Sequence, residues 1–323
     1  MILAGIDIGT NSIRLLVADV SGTTFHELQS ARTITRLGQD LERTSAISDG
    51  AWSRSLLVLQ EFSDIINKHQ TLQTVAVGTS ALRRAANSSA FIAEVQQRTG
   101  IRIRIISGEE EALLTLRGVK HALSPRGDLS QDPLLSSLIF DIGGGSTELI
   151  VTRDGAIAAA ESLHLGAVYL TDRFLKHVPP LPGEIDALVS LIRKELDAWE
   201  DRMLERTGMR PEAVEILAGT AGTITTLASM DLNMTDYDPL RINGYTLTKA
   251  ALDRMVHELS AASPEERHTI IGLESGREDI ILAGALVAKG IMDRCGKDEL
   301  LVSDWGLREG IVFDLFDRCS GRV

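Results

Sequence analysis

Apolar residues fall along the chain in short runs separated by glycine-rich turns. Leu138, Ile139 and Phe140 form one such run, closed by Asp141-Ile142-Gly143-Gly144-Gly145, and apolar positions return at Leu149, Ile150 and Val151. A run of this length bounded by turn residues predicts a strand covered on both faces. By the same pattern, strands are predicted near 2–8, 13–20, 23–29, 75–78 and 101–106, and again near 138–142, 147–152, 156–163, 215–219 and 300–302. Helical spacing lies between them. Ser48–His69 carries Leu56, Leu59, Phe62, Ile65 and Ile66 on one stripe. Ser107 with Glu110 has the form of a capping box opening a helix. Further helices are predicted near 88–98, 166–177, 248–260, 264–271, 276–294 and 303–319, with a long one between the Pro-rich break at 178–183 and about residue 206.

The opening pattern occurs twice. Residues 6–17, I-D-I-G-T-N-S-I-R-L-L-V, align without a gap with residues 140–151, so that Asp7 meets Asp141, Gly9 meets Gly143, Ser12 meets Ser146 and Arg14 meets Glu148. A repeat of this kind sets the architecture. Three strands in a meander followed by helix–strand units, twice over, predict an α/β fold with mixed sheets. That order resembles the actin/hexokinase/sugar-kinase superfold, which implies two actin-like (RNase H-like) domains with an interdomain cleft. The polar, Pro- and Gly-bearing stretch 122–137 is the expected boundary. Domain I is expected at 1–124 and domain II at 125–304, with a closing helix over 305–323 returning to domain I as the superfold does.

At 323 residues and 44% apolar composition, the chain is long enough for two real cores, and with 4% aromatics these are built of Leu, Ile, Val and Ala. The net charge of −12 argues against a general nucleic-acid or acidic-membrane binder. An anionic substrate still fits where arginines and a cation converge. Cys295 and Cys319 have no metal spacing, and a reduced cytoplasmic setting fits them. The N-terminus runs straight into the first motif without a basic leader, and Ile280–Met292, interrupted by Lys289, is a core helix rather than a membrane span.

The two turns carry the chemistry. Glycines without β-carbons let backbone amides close on an oxyanion. Asn11 and Ser12 in the first loop, and Gly144, Gly145, Ser146 and Thr147 in the second, supply donors. Asp141 and Glu148, with Asp7 from the other copy, are candidate magnesium carboxylates, since magnesium prefers hard oxygens and bridges phosphates. Gly219-Thr220-Ala221-Gly222-Thr223 follows a strand and opens a helix, an anion-binding setting. By themselves, Glu109, Glu110 and Glu111 only complement a helix dipole.

Nine ordered segments make the picture specific: D-I-G-T-N-S-I-R-L-L (7–16), R-L-G-Q (36–39), G-T-S-A-L-R (78–83), I-S-G-E-E-E-A (106–112), D-I-G-G-G-S-T-E-L (141–149), S-L-H-L-G-A-V (162–168), G-T-A-G-T (219–223), G-R-E-D-I-I-L-A-G-A (276–285) and S-D-W-G-L-R-E-G (303–310). In these the chain resembles a short member of the exopolyphosphatase/guanosine-pentaphosphate phosphohydrolase family. The resemblance implies hydrolysis of a terminal phosphoanhydride, of inorganic polyphosphate or at the 5′ γ-phosphate of guanosine pentaphosphate. It implies Glu111 as the general base, Arg83 as a phosphate-binding guanidinium, and magnesium as the cofactor, with another divalent ion or potassium as alternatives. Arg36, Arg14 and Arg308 are weaker phosphate-binding candidates, and Arg277 can equally pair within its own helix. His164 is expected to pack rather than act as a base.

Three features depart from the family pattern: Thr10 where Ser is common, Ile271-Gly272-Leu273 in place of P-G-L, and an end at residue 323 where long members continue. The last leaves processivity on long polymer without a basis. The resemblance also allows a homodimer, for which the sequence carries no signature. Two other functions share the pattern. An ATP-dependent small-molecule kinase of the same superfold would place adenosine at G-T-A-G-T. A non-catalytic alarmone or polyphosphate sensor would bind without turnover.

Overall fold

The computed structural model describes residues 1–22, 24–124 and 134–321. The chain divides into two compact units: Met1–Gly118 with Trp305–Val323, and Val119–Asp304. The expected boundary stretch 122–137 falls largely at 125–133, outside the described residues.

The first unit runs β1 (Ile2–Ile8), β2 (Ser12–Ser21), β3 (Thr24–Ile34), α1 (Leu41–Thr44), α2 (Asp49–Lys68), β4 (Gln73–Gly78), α3 (Ser80–Arg84), α4 (Ser88–Thr99), β5 (Ile103–Ile105) and α5 (Gly108–Leu123), the last continuing into the second unit. The second runs β6 (Ser137–Ile142), β7 (Thr147–Arg153), β8 (Ala156–Leu163), α6 (Ala167–Phe174), α7 (Pro182–Thr207), β9 (Ile216–Thr220), α8 (Ala221–Asp231), α9 (Pro239–Ile242), β10 (Thr246–Thr248), α10 (Lys249–Ala261), α11 (Pro264–Arg267), α12 (Ile281–Cys295) and β11 (Glu299–Val302). Helix α13 (Leu307–Cys319) belongs to the first unit.

The two sheets share one plan. The first is ordered β3-β2-β1-β4-β5 and the second β10-β11-β9-β6-β7-β8. In each, the first strand pairs antiparallel with the second and parallel with the fourth. Strand β1 is buried on both faces because alternate residues serve two cores. Ala4, Ile6 and Ile8 join Leu59, Phe62, Phe91 and Val95 from α2 and α4, while Leu3 packs with Val312, Leu315 and Phe316 of α13. Each fully buried Leu, Ile or Phe contributes about 1.5–3 kcal/mol. At Gly310 the backbones of α13 and α5 cross so closely that a β-carbon would overlap the Leu114 carbonyl. That contact sets where α5, which carries Glu111, lies in its unit. In the second unit, α12 is apolar on nearly all sides and is buried against α7, α8 and α10.

Several expectations change; the closing helix expected over 303–319, for one, starts at Leu307. Strand β3 runs on to Ile34 because it stays paired with β2 as far as Ser12↔Ile34. Its mostly exposed edge gives no apolar signal. The helix expected from 276 starts at Ile281: Gly276 takes a left-handed φ of 86°, and its amide donates to Glu278 Oε2. The helix expected over 264–271 ends at Arg267. No helix among the described residues is long and apolar enough to cross a membrane.

Candidate functional site

The repeated hairpins match down to the hydrogen bond. In the first unit Gly9 N donates to Ser12 O at 3.0 Å, and in the second Gly143 N donates to Ser146 O at 3.0 Å. Asp7 lies across β1–β2 from Arg14, and Asp141 lies across β6–β7 from Glu148. Each turn is braced by the segment following its third strand. Thr35 N and Arg36 N donate to Asn11 O, and Gly38 N donates to Thr10 O. Likewise Ala167 N donates to Gly143 O, and Val168 N and Tyr169 N to Gly144 O. The loops' own backbone bonds leave the amides of Gly144, Gly145 and Ser146 unused. Those three are the donors an oxyanion would meet.

In the first unit, Asp7, Asn11 and Ser12 are buried, and among the described residues neither Asp7 Oδ1 nor Asn11 Nδ2 has a hydrogen-bond partner. Buried polar atoms are normally paired, so such atoms in one turn mark a place built for something else. Burial pushes the Asp7 carboxyl above its ordinary range, against the lowering effect of Arg14 and Arg308 and with a smaller push from Glu309. A raised carboxyl pKa favours folding only below that value, and the contribution is lost as pH rises through it. Asp7→Asn is therefore expected to raise the melting temperature at pH 8, with the gain fading toward pH 4. Thermal unfolding at the two pH values checks this; a lower melting temperature for the variant at pH 8 contradicts it. Arg36 holds a left-handed φ of 51° against that turn, a strained conformation of the kind found at binding sites. Arg308 pairs with Glu309, which also caps Gly306 N at 2.9 Å.

The three acids that open α5 have separate environments. Glu109 is exposed. Glu110 N donates to Ser107 Oγ at 3.1 Å, but its carboxylate pairs with Arg104, so the capping box is only half made. Glu111 is buried and faces Arg83 at 2.6 Å, and the same guanidinium nitrogen donates to Ile106 O at 3.0 Å. Arg84 pairs with Glu42. The structure thus brings Arg83 and Glu111 together and sends their neighbours elsewhere.

In the second unit, Asp141 and Glu148 are both buried. Glu148 Oε1 accepts from Ser146 Oγ at 2.8 Å and from Ser162 Oγ at 2.7 Å. Thr147 Oγ1 donates to Leu165 O at 2.8 Å, so its hydroxyl is spent on structure. Thr220 lies beside Asp141 in the β6–β9 register, and Thr223 Oγ1 donates to Ile142 O, which fixes the start of α8 against the loop. Ala221 has a left-handed φ of 69° at that junction. The guanidinium of Arg277 covers Gly222, where any β-carbon would overlap it, and pairs with Glu274 rather than within a helix. His164 stacks on Tyr169 with ring centroids 3.6 Å apart.

Asp141 and Glu148 are hard oxygen donors of the kind that could hold a magnesium ion. Among the described residues no group of three or more His, Cys, Asp and Glu gathers to hold a metal. Two hard carboxylates paired across a hairpin are nonetheless what magnesium uses when water and substrate phosphates complete its shell.

Two features escape a sequence reading. Gly166 packs α6 onto the second loop so closely that a β-carbon would overlap the backbone of Gly144 and Gly145. Ser162 reaches Glu148 from the neighbouring strand. Both lie in S-L-H-L-G, but only strand pairing gives them a role.

Duplicated phosphate-type loops on two actin-like units define a class of phosphate-handling proteins. The chain belongs to the Ppx/GppA phosphatase family, whose model matches residues 16–319. It is 31% identical over 329 aligned positions to exopolyphosphatase 2 of Mycobacterium tuberculosis, covering 97% of this chain and 98% of that one. The crystal structure of the Aquifex aeolicus member of the Ppx/GppA family aligns with a TM-score of 0.79 at 30% identity, over 98% of each chain. An exopolyphosphatase structure from Cytophaga hutchinsonii aligns with a TM-score of 0.88 at 26% identity, also over 98% of each.

Proposed function

We propose that this chain is a magnesium-dependent exopolyphosphatase that releases orthophosphate from the end of inorganic polyphosphate. The observation that carries this reading is the buried Glu111 carboxylate held 2.6 Å from the Arg83 guanidinium. A guanidinium fork recognises phosphate oxygens, and a carboxylate beside it can orient and deprotonate a water. The exopolyphosphatase names of relatives that match along nearly their whole length favour polyphosphate. The 5′ γ-phosphate of guanosine pentaphosphate is the second substrate to compare.

In this mechanism Arg83 binds phosphate beside Glu111, and the amides of Gly144, Gly145 and Ser146 are the second unit's donors to phosphate. Asn11, Ser12 and Arg36 in the first unit, and the Gly219–Thr220 turn in the second, are each further candidate phosphate donors. Asp141 and Glu148, which face each other across β6–β7, would hold the magnesium ion, which when bound would neutralise phosphate charge. Water oxygen attacks the terminal phosphorus while its proton passes to Glu111. The bridging P–O bond breaks, and its electron pair stays on the shortened chain as leaving group. The test is orthophosphate release from short polyphosphate, long polyphosphate, guanosine pentaphosphate and ATP across a magnesium titration. Metal-dependent release from polyphosphate is the expected result. Turnover of ATP only when an alcohol acceptor is added, or tight binding with no turnover, would replace this reading.

A further inference from the structure

Glu148 is almost wholly withdrawn from solvent, and one of its oxygens, Oε1, accepts two hydroxyl hydrogen bonds. Ser146 reaches it from within the loop, and Ser162 from β8, directly across the β7–β8 pairing from Glu148 itself. Two donors converging on one oxygen, one from the loop and one from the neighbouring strand, orient the carboxylate. Losing the Ser162 hydroxyl would remove the donor that reaches Glu148 from the neighbouring strand.

Strand β8 does not need Ser162 to stay in place. Its end is held by the ladder pair Thr147↔Leu163, and just beyond it Thr147 Oγ1 donates to Leu165 O at 2.8 Å. The Ser162 hydroxyl therefore has one evident use. Resting on the reading of Asp141 and Glu148 as cation carboxylates, we infer that Ser162 is a positioning residue: it orients Glu148 for the metal ion without touching metal or substrate. Hydrogen-bond partners of metal ligands typically set affinity by 10–100-fold.

The experiment is a Mn²⁺ titration followed by electron paramagnetic resonance, in the presence of inorganic phosphate, on the wild-type protein, Ser162→Ala and Ser162→Thr. Circular dichroism confirms that each is folded. Wild type is expected to bind Mn²⁺, Ser162→Ala to bind it about 10-fold or more weakly, and Ser162→Thr, which keeps the hydroxyl, to recover most of the loss. In phosphate release, the magnesium concentration for half-maximal rate rises in Ser162→Ala, while KM for polyphosphate at saturating magnesium stays put. Equal Mn²⁺ affinity in wild type and Ser162→Ala overturns the role of Ser162 alone. Failure of the wild-type protein to bind Mn²⁺ overturns the cation reading of the loop, and this inference with it.

Discussion

Replacing Glu111 by Gln is expected to lower the rate of orthophosphate release by about 10²–10⁴-fold, the usual contribution of a positioned general base. Gln keeps the size and one acceptor of Glu, so α5 and its Ser107 cap stay as they are. What is lost is the basic site for the water proton. The effect should fall on kcat. The Arg83 guanidinium, no longer neutralised by a carboxylate 2.6 Å away, has more charge to offer a phosphate, so KM should stay level or drop. Arg83→Lys should do the reverse: it keeps a charge but loses the fork that grips two oxygens, and KM should rise. Steady-state kinetics on the two variants separates the roles. Equal kcat for Glu111→Gln and wild type would remove Glu111 from the mechanism.

Gly166→Ala is expected to damage the second loop more than most substitutions outside it. The added methyl would occupy the space of the Gly144 and Gly145 backbone. No flexible side-chain tip can give way there, so the loop or the start of α6 must shift. Overpacking of this kind costs about 1–3 kcal/mol of stability. The displaced amides are those proposed as the second unit's donors to phosphate, and a misplacement of about 1 Å at a reacting centre can lower rate about 10²-fold. Gly183→Ala is the control. It sits at the start of α7 with nothing within 4 Å of the new methyl, and should leave activity and melting temperature essentially unchanged. Similar activity for Gly166→Ala and Gly183→Ala would mean that the loop does not need its present geometry.

The features readable in advance were those with local physical causes. The duplicated hairpins were legible because a tight turn closing on its own carbonyl needs Gly at one place, and Gly9 and Gly143 hold the same bond. The amphipathic stripe of α2 was legible from the spacing of Leu56, Leu59 and Phe62, all buried. The polar edge of β3 was not, because pairing with β2 rather than burial keeps it extended to Ile34. Nor could residue type separate Glu109, Glu110 and Glu111. Only Arg104 and Arg83, brought in from other elements, divide solvent-exposed, structural and candidate catalytic acids. The hydroxyl of Thr147 looked like a phosphate donor by type, but its tertiary partner is Leu165 O.

The central claim is that water, activated in this protein, attacks the terminal phosphorus of a phosphate chain. Single-turnover hydrolysis of short polyphosphate in ¹⁸O-labelled water, analysed by mass spectrometry, tests it most directly. One ¹⁸O atom in each released orthophosphate and none in the shortened chain is the predicted result. Label in the shortened chain, with unlabelled orthophosphate, would place the attack on another phosphorus and contradict the account.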